Sequence, residues 1–222
     1  MLTVVTGHEG TLGRAVTEHL EAQGVDVCGV SRSSGTDVRN EEALERNYPD
    51  HVGAVVTCAG KCIVKPLDEM TIIDWHQVND INVMGTLLAV RKGVQRGAKR
   101  IVTVGSLLGS FPIAYPDRTA YITSKAAVAG LTRALAVELA PEGVSVNCVA
   151  PGHFTLMANK GSGLLEGVQA HSPGGLVSAG DAASVIAWLV TDAPAALTGQ
   201  VIVVDGGYTL SQYPEPRWWN DD

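Results

Sequence analysis

A tyrosine and a lysine that could perform acid–base chemistry, Tyr121 and Lys125, lie in the segment Y-I-T-S-K. The residues that follow are alanine-rich and apolar at helical spacing, so we predict that the pair shares one face of a helix. A phenol ionises near pH 10 and is a poor catalyst at neutral pH. A lysine ammonium one turn away stabilises the phenolate, which predicts a lowered tyrosine pKa and a site of proton transfer. An isolated pair with this spacing is otherwise typical of surface neighbours.

A glycine-rich segment, T-G-H-E-G-T-L-G, runs from Thr6 to Gly13. It follows a predicted strand, Leu2–Thr6, and precedes a helix predicted from about Leu12 to Gln23. Such an arrangement places backbone N–H groups and the positive end of a helix against a pyrophosphate. The glycine pattern alone is also consistent with a plain tight turn. Its position between a strand and a helix favours dinucleotide binding.

The end of the second predicted strand lacks the acidic residue that commonly binds the adenosine ribose. The sequence there reads G-V-S-R-S-S and offers Ser31, Arg32 and Ser33. An arginine with two hydroxyls suits the 2′-phosphate of NADP through charge-assisted hydrogen bonds. We therefore expect NADP(H) as the cofactor. A solvated surface arginine is the alternative interpretation.

Short β-branched runs alternate with helix-patterned segments along the whole chain. Continuous apolar strands between helices are typical of a parallel sheet covered on both faces, so we predict a doubly wound α/β domain, the Rossmann fold. We expect a single domain over 1–207, with a mobile substrate loop at about 153–180 and a tail over 208–222. The predicted strands are Leu2–Thr6, Val25–Val30, Gly53–Thr57, Arg100–Val104, Val144–Val149 and Gln200–Val204.

The composition excludes several classes of function. The net charge of −7 argues against nucleic acid and anionic membranes as partners. No apolar run is long enough to span a bilayer, and the N-terminus lacks a signal-peptide pattern, so we expect a cytoplasmic protein. Cysteines 28, 58, 62 and 148 are interpreted as reduced core residues. Cys58 and Cys62 could suggest a metal pair, but no His or Cys cluster completes a site, and we predict no metal.

Taken together, these segments resemble the short-chain dehydrogenase/reductase family, of which this chain would be an unusually short member. The resemblance extends from Leu2 to about Gly207, and the motifs follow the family's order. They are T-G-x3-T-L-G at Thr6–Gly13, D-V at Asp37–Val38, C-A-G at Cys58–Gly60, N-V-M-G at Asn82–Gly85, V-G-S-L-L-G at Val104–Gly109, Y-I-T-S-K at Tyr121–Lys125, V-N-C-V-A-P-G at Val146–Gly152 and T-G-Q-V-I-V-V-D-G-G at Thr198–Gly207.

The resemblance implies a catalytic tetrad of Asn82, Ser106, Tyr121 and Lys125. Tyr121 would be the general acid and base, Ser106 would bind the substrate oxygen, and Lys125 would also hold the nicotinamide ribose. Asn82 would bend its helix locally and hold a water that resupplies the proton. The implied cofactor-binding residues are Gly7, Thr11, Leu12, Gly13, Ser31, Arg32, Ser33, Asp37, Val38, Ala59, Gly60, Tyr121, Lys125, Pro151, Gly152 and Thr155.

Two departures from the family pattern concern the cofactor side. Thr11 replaces the middle glycine, so its Cβ could crowd the pyrophosphate or its hydroxyl could donate to a phosphate. The Asp37–Val38 pair follows Arg32 almost immediately, which predicts that the family's third strand is short or missing.

Two further departures concern the substrate side. The segment from Ser106 to Tyr121 is two residues longer than usual. It makes Ser110 a second candidate for the serine role and adds Tyr115, which no lysine follows at helical spacing. The family's P-G-x-x-x-T is one residue short here, so the contact of Thr155 with the nicotinamide is open. His153 is either a loop histidine or a residue facing the substrate.

We therefore expect an NADP(H)-dependent oxidoreductase acting on a carbonyl or secondary alcohol, with ketone reduction as the favoured direction. A cofactor-binding sensor without turnover is the alternative, although relatives of that type usually lose the Tyr or the Lys. Epimerases and dehydratases of this fold are mostly longer. The expected partners are a small carbonyl or alcohol substrate and further copies of the chain, as a homodimer or homotetramer.

Overall fold

A six-stranded parallel sheet forms the centre of the computed structural model, which describes residues 1–154 and 168–211. The strand order is β2-β1-β3-β4-β5-β6, and every neighbouring pair is parallel. The strands are β1 Leu2–Thr6, β2 Asp26–Val30, β3 Ala54–Thr57, β4 Arg100–Val104, β5 Ser145–Pro151 and β6 Val201–Val204. The doubly wound α/β fold is confirmed, and each strand lies within two residues of its predicted bounds.

Helices cover both faces of this sheet. They are α1 Thr11–Ala22, α2 Glu41–Asn47, α3 Ile72–Asn79, α4 Gly85–Gln95, a distorted single turn α5 Leu107–Ser110, α6 Thr119–Leu139 and α7 Ala179–Thr191. A π-helical turn, Asp80–Met84, joins α3 to α4. A 3-10 turn, Ala140–Glu142, follows α6.

The strands supply two cores because successive side chains point to opposite faces. On one face, Val5 and Val56 pack with α1 and α7, represented by Leu20 and Ile186. On the other face, Val4, Val55 and Ile101 pack with apolar side chains of α2, α4 and α6. Both faces of the sheet are thus dry, which accounts for the continuous apolar strands that the sequence shows.

The chain between β2 and β3 explains the small size of the protein. Residues 31–53 are fully described and contain α2 but no strand. The predicted loss of the third strand is therefore confirmed, and β2 becomes the edge of the sheet. The strand order reverses beside β1, so the carboxyl ends of β1 and β3 open a crevice at this switch point.

A close contact between Gly13 and Gly7 fixes the turn from β1 to α1. A Cβ on Gly13 would lie 2.2 Å from the Gly7 carbonyl oxygen and 2.7 Å from the His8 Cα. Both obstacles are backbone atoms, which cannot move aside cheaply.

We expect Gly13→Ala to lower the free energy of unfolding by about 1–3 kcal/mol, because the added methyl overpacks this turn. Gly130→Ala is the matched control, since Gly130 lies within α6 and its added Cβ meets nothing within 4 Å. The control should be stabilised by about 0.5–1 kcal/mol through its higher helix propensity. Urea unfolding of the three proteins measures both effects, and equal shifts would contradict the proposed clash.

Candidate active site

Two adjoining cavities open at the carboxyl edge of the sheet. The larger, about 670 Å³, is bordered by the glycine loop, the end of β2 and the end of β3. The smaller, about 260 Å³, lies over the ends of β4 and β5 and against α6. Cys58, Gly60 and Lys61 line both cavities. The crevice therefore has room for an elongated ligand with one end beside a compact second site.

The glycine loop leaves the start of α1 open toward the larger cavity. Gly7 has a φ of +65°, and a Cβ on it would lie 2.7 Å from the Ala59 Cα. Gly10 caps α1 without a side-chain hydrogen bond, so the first-turn N–H groups are free of side-chain caps. These features fit a pyrophosphate bound at the helix N-terminus. Thr11 is exposed and begins α1 rather than filling the loop.

The turn after β2 presents the predicted hydroxyl and guanidinium groups. Ser31, Arg32 and Ser33 all line the larger cavity. The hydroxyls of Ser31 and Ser33 are 2.9 Å apart, and the Ser31 N–H donates to Ser34 Oγ at 2.9 Å. The Arg32 side chain makes no hydrogen bond within the part of the chain that the structure describes. The donors of Arg32 are therefore available to a ligand.

A carboxylate that the sequence reasoning missed lies in the same place. Glu9 lines the larger cavity, and its Oε2 accepts a hydrogen bond from Ser33 Oγ. The search for an acidic ribose-binding residue considered only the end of β2, whereas Glu9 comes from the loop after β1. The only sequence signal was a charge within the glycine motif.

The opposite wall of the larger cavity carries Asp37 and Val38. Asp37 pairs with Arg39 at 2.7 Å, and hydrogen bonds from Arg39 hold the pKa of that carboxyl below its usual value. Val38 is buried and packs against Gly85. The predicted contact pair thus borders the crevice even though the strand that normally precedes it is absent.

Asn82 lies in the π-helical turn between α3 and α4, where the sequence predicted a local distortion. Its Oδ1 accepts from the Lys61 N–H at 2.7 Å. Its Nδ2 donates to the Lys61 carbonyl and to Ser124 Oγ, both at 2.9 Å. Both amide donors are therefore occupied within the protein, and one oxygen lone pair remains for a water. Asn82 fixes the loop that joins the two cavities.

Ser106, Tyr121 and Lys125 meet in the smaller cavity. Lys125 is 5% exposed, and its Nζ donates to the Val104 carbonyl at 2.8 Å. The same Nζ lies 5.8 Å from the Tyr121 ring centroid. Ser106 is hydrogen-bonded to the Tyr121 phenol. Ser110, the other serine considered, is absent from this lining, and its Oγ is buried without a partner.

The pKa of Tyr121 is raised, not lowered as the Tyr–Lys spacing suggested. Burial is the main cause, while the hydrogen bond with Ser106 lowers the pKa and the nearby Cys62 raises it. Burial also lowers the pKa of Lys125. The expectation was wrong for the protein alone because the same burial that brings the two groups together removes water from both.

A second cluster of polar rings lies on the other wall of the smaller cavity. The Tyr115 hydroxyl is 3.0 Å from His153 Nε2 and 2.5 Å from the Tyr208 hydroxyl. The rings of His153 and Tyr208 meet edge to face at 5.2 Å. Arg118 lies over the Tyr115 ring, 5.8 Å from its centroid. His153 therefore faces the cavity, one of the two interpretations that the sequence allowed.

The remaining predicted contacts divide between the two cavities. Ala59 and Gly60 line the larger one, whereas Leu12, Pro151 and Gly152 line the smaller one. Thr155, most of the predicted substrate loop and the tail from 212 onward lie outside the described residues.

Within the described residues, no group of three His, Cys, Asp or Glu side chains is arranged to hold a metal ion. None of the helices described is long and apolar enough to cross a membrane.

Comparisons with known proteins agree with this geometry. Residues 15–209 match a family model described as enoyl-(acyl carrier protein) reductase. The chain is 31% identical to a cis-4-hydroxycyclohexanecarboxylate dehydrogenase of Sinomonas cyclohexanicum, over 94% of this chain and 96% of the relative. It is also 31% identical to a 3-oxoacyl-(acyl-carrier-protein) reductase of Aquifex aeolicus, over 92% and 86%. A small-chain dehydrogenase solved in complex with NADPH superposes with a TM-score of 0.82 at 25% identity, over 95% and 99%.

The stability of the protein should fall below neutral pH in part because of His153. Burial and the charge of Arg118 lower the pKa of His153, so the unfolded chain binds that proton more tightly. This cost to stability is absent above the ordinary histidine pKa of about 6.5 and grows as the pH falls below it.

We expect His153→Gln to lose less stability than the parent between pH 8 and pH 5, since glutamine does not titrate. Urea unfolding at several pH values measures this difference. His51→Gln, at an exposed position, is the control and should follow the parent. Parallel profiles for the parent and His153→Gln would contradict the assignment.

Proposed function

Since the chain belongs to the short-chain dehydrogenase/reductase family, we propose that it is an NADP(H)-dependent oxidoreductase that reduces a ketone to a secondary alcohol. One observation carries this proposal. The buried cluster of Ser106, Tyr121 and Lys125 lies in a cavity that shares Gly60 with a crevice fit for a dinucleotide. Proton donor and cofactor site are thus adjacent.

The fit of the cofactor rests on features of the protein itself. The open N-terminus of α1 suits the pyrophosphate, and Arg32 has unused donors for a 2′-phosphate. A Cβ on Gly60 would come within 3.7 Å of Lys125 Nζ, so the backbone there leaves space in front of the ammonium. Lys125 Nζ donates to Val104, and its remaining hydrogens can bind ribose hydroxyls. When bound, the nicotinamide supplies the hydride for the substrate carbon.

The proposed proton transfer uses the phenol of Tyr121. Ser106, which contacts that phenol, would donate to the same carbonyl oxygen and fix its position. Tyr121 would then protonate the oxygen as negative charge develops on it. Lys125, buried behind the ring, would stabilise the resulting phenolate.

The raised pKa of Tyr121 supports the reductive direction. A buried phenol that holds its proton tightly is ready to act as an acid but is a weak base until positive charge comes near. In reduction the proton leaves as the oxygen becomes basic. We therefore place the enzyme among ketoreductases.

The relatives support the choice of functional group. One is named for a hydroxylated cyclohexane acid and another for a 3-oxoacyl chain, and both names describe an alcohol or carbonyl carbon. The solved neighbour is titled as a complex with NADPH. These names support a small alcohol or ketone substrate and agree with NADP(H) as the cofactor.

We also propose that the enzyme forms homo-oligomers. Large apolar side chains are exposed on α4 and α6, where Leu87 is 38% and Val137 is 78% exposed. Such side chains are suited to burial against another copy. A cytoplasmic location stays a prediction from the sequence.

The first test is consumption of NADPH, beside NADH, across a panel of ketones. Turnover with NADPH would support the reductase. NADPH binding without turnover of any ketone would favour the sensor instead.

Tyr121→Phe should reduce kcat about 100-fold to 10,000-fold, the usual contribution of a positioned general acid. Cofactor binding should change little, because the ring and Lys125 remain. Tyr48→Phe is the matched control, since the buried Tyr48 hydroxyl bonds to the Ala89 carbonyl and takes no part in either cavity. Steady-state kinetics and a binding titration measure the two effects, and an active Tyr121→Phe would refute the acid assignment.

Two charge changes should move cofactor selectivity in opposite directions. Arg32→Asp should weaken NADPH binding about tenfold or more, because a charge-assisted hydrogen bond is lost and a repulsive carboxylate is added. Glu9→Gln should strengthen NADPH binding several-fold, because it removes a carboxylate that lies against Ser33. NADH binding should change less in both variants.

Fluorescence titrations with NADPH and NADH measure the two selectivity changes. Glu18→Gln, at an exposed position on α1, is the control for the loss of a negative charge. If Arg32→Asp binds NADPH as tightly as the parent, the 2′-phosphate does not contact Arg32.

A further inference from the structure

The smaller cavity is electropositive in an acidic protein. The chain has 23 Asp and Glu against 16 Lys and Arg. The lining of this cavity nevertheless includes Lys61, Arg118 and Lys125 and, among the described residues, no Asp or Glu. A cavity whose charge is opposite to that of the whole chain attracts anions.

Two of these cations are already held by neutral groups. Lys125 Nζ donates to the Val104 carbonyl at 2.8 Å, and Lys61 Nζ donates to Gln77 Oε1. Lys125 also faces the proposed proton donor. These two lysines contribute positive charge to the cavity, but their positions are set by other tasks.

Arg118 is the cation with donors to spare. It is half-buried at the start of α6, where its Nη1 donates to the Pro116 carbonyl at 3.0 Å. In the described part of the chain no carboxylate pairs with it. A guanidinium carries five N–H donors in a planar fork, so most of them remain open to a ligand.

The positive charge of Arg118 acts on the cavity lining. It lowers the pKa of Cys62, Tyr115 and His153, three residues from separate parts of the wall. Its field therefore extends across the space beside Tyr121 rather than into solvent alone.

A ring network holds the surface on which Arg118 rests. The guanidinium lies over the Tyr115 ring, and the Tyr115 hydroxyl is within hydrogen-bonding distance of His153 and Tyr208. The network ties the segment before α6 to the loop after β5 and to the chain after β6. Tyr115 is thereby fixed in place, and Arg118 is oriented without an acidic partner.

We propose that the substrate is a small oxo acid whose carboxylate is bound by Arg118 while its ketone faces Ser106 and Tyr121. This inference rests on the proposed function. A planar guanidinium matches a carboxylate in two parallel hydrogen bonds. In the reaction the ketone carbon gains the hydride from NADPH and the oxygen gains the proton of Tyr121, which yields a hydroxy acid and NADP⁺. The cavity of about 260 Å³ favours a short chain or a single ring.

The test compares acids with their uncharged esters. Suitable pairs are 4-oxopentanoate with methyl 4-oxopentanoate and 5-oxohexanoate with methyl 5-oxohexanoate. We expect kcat/KM for at least one acid to exceed that of its ester about tenfold or more, since hydrogen bonds between charged groups are the strong ones. The preferred acid indicates the spacing between carboxylate and ketone.

Arg118→Gln assigns the effect to a residue. It should raise KM for the acid about tenfold to a hundredfold and leave KM for the ester and both kcat values nearly unchanged. Arg133→Gln is the control, because it removes the same charge from an exposed position on the same helix. Calorimetric titration of the parent and both variants with 4-oxopentanoate gives a readout that needs no turnover.

The outcomes separate the two proposals. Equal use of acids and esters, or an Arg118→Gln variant that retains the parent's KM for the acid, overturns the carboxylate site and leaves the reductase intact. Absence of cofactor consumption with every ketone overturns the reductase. In that case, binding of 4-oxopentanoate that Arg118→Gln abolishes supports the acid site, and binding that it leaves unchanged overturns it.

Discussion

The buried ammonium of Lys125 is the constraint on which the candidate site depends. Removing an ammonium from water is costly, and the protein compensates with a hydrogen bond from Nζ to the carbonyl that ends β4. The sheet edge therefore fixes Lys125, and α6 carries Tyr121 to the same place one turn earlier. A site held by a strand end and a long helix is already arranged before any ligand arrives, which is the condition for efficient electrostatic catalysis.

The two cavities obey different electrostatic rules. The larger one mixes charges, since Glu9 and Asp37 face Arg32 within a single crevice. The smaller one has positive side chains and no carboxylate among the described residues. Under the proposed function, the larger cavity selects between forms of the cofactor by a balance of attraction and repulsion. The smaller one would select its substrate by net attraction.

Asn82 links these two regions. The π-helical turn places its amide against the Lys61 backbone, where the two cavities meet. A regular helix would turn that side chain differently, so the distortion determines where the loop after β3 lies. The loss of a strand between β2 and β3 leaves this arrangement intact, because the missing strand would have extended the sheet at its far edge.

The sequence determined the sheet, its helices and the identities of the tetrad residues, because apolar periodicity and local motifs depend on near neighbours. The strand bounds and the site of helix distortion at Asn82 followed from it. Tertiary structure decided what depends on contacts between distant segments. It placed Glu9 against Ser33, and it joined Tyr115 to His153 and Tyr208.

Burial was the other property that sequence could not supply. The spacing of Tyr121 and Lys125 correctly put them on one helix, yet their pKa values move opposite to the expected activation. Spacing along a helix fixes which side chains are neighbours. How much water surrounds them depends on the strands and loops that pack over that helix, and desolvation therefore had to be read from the fold.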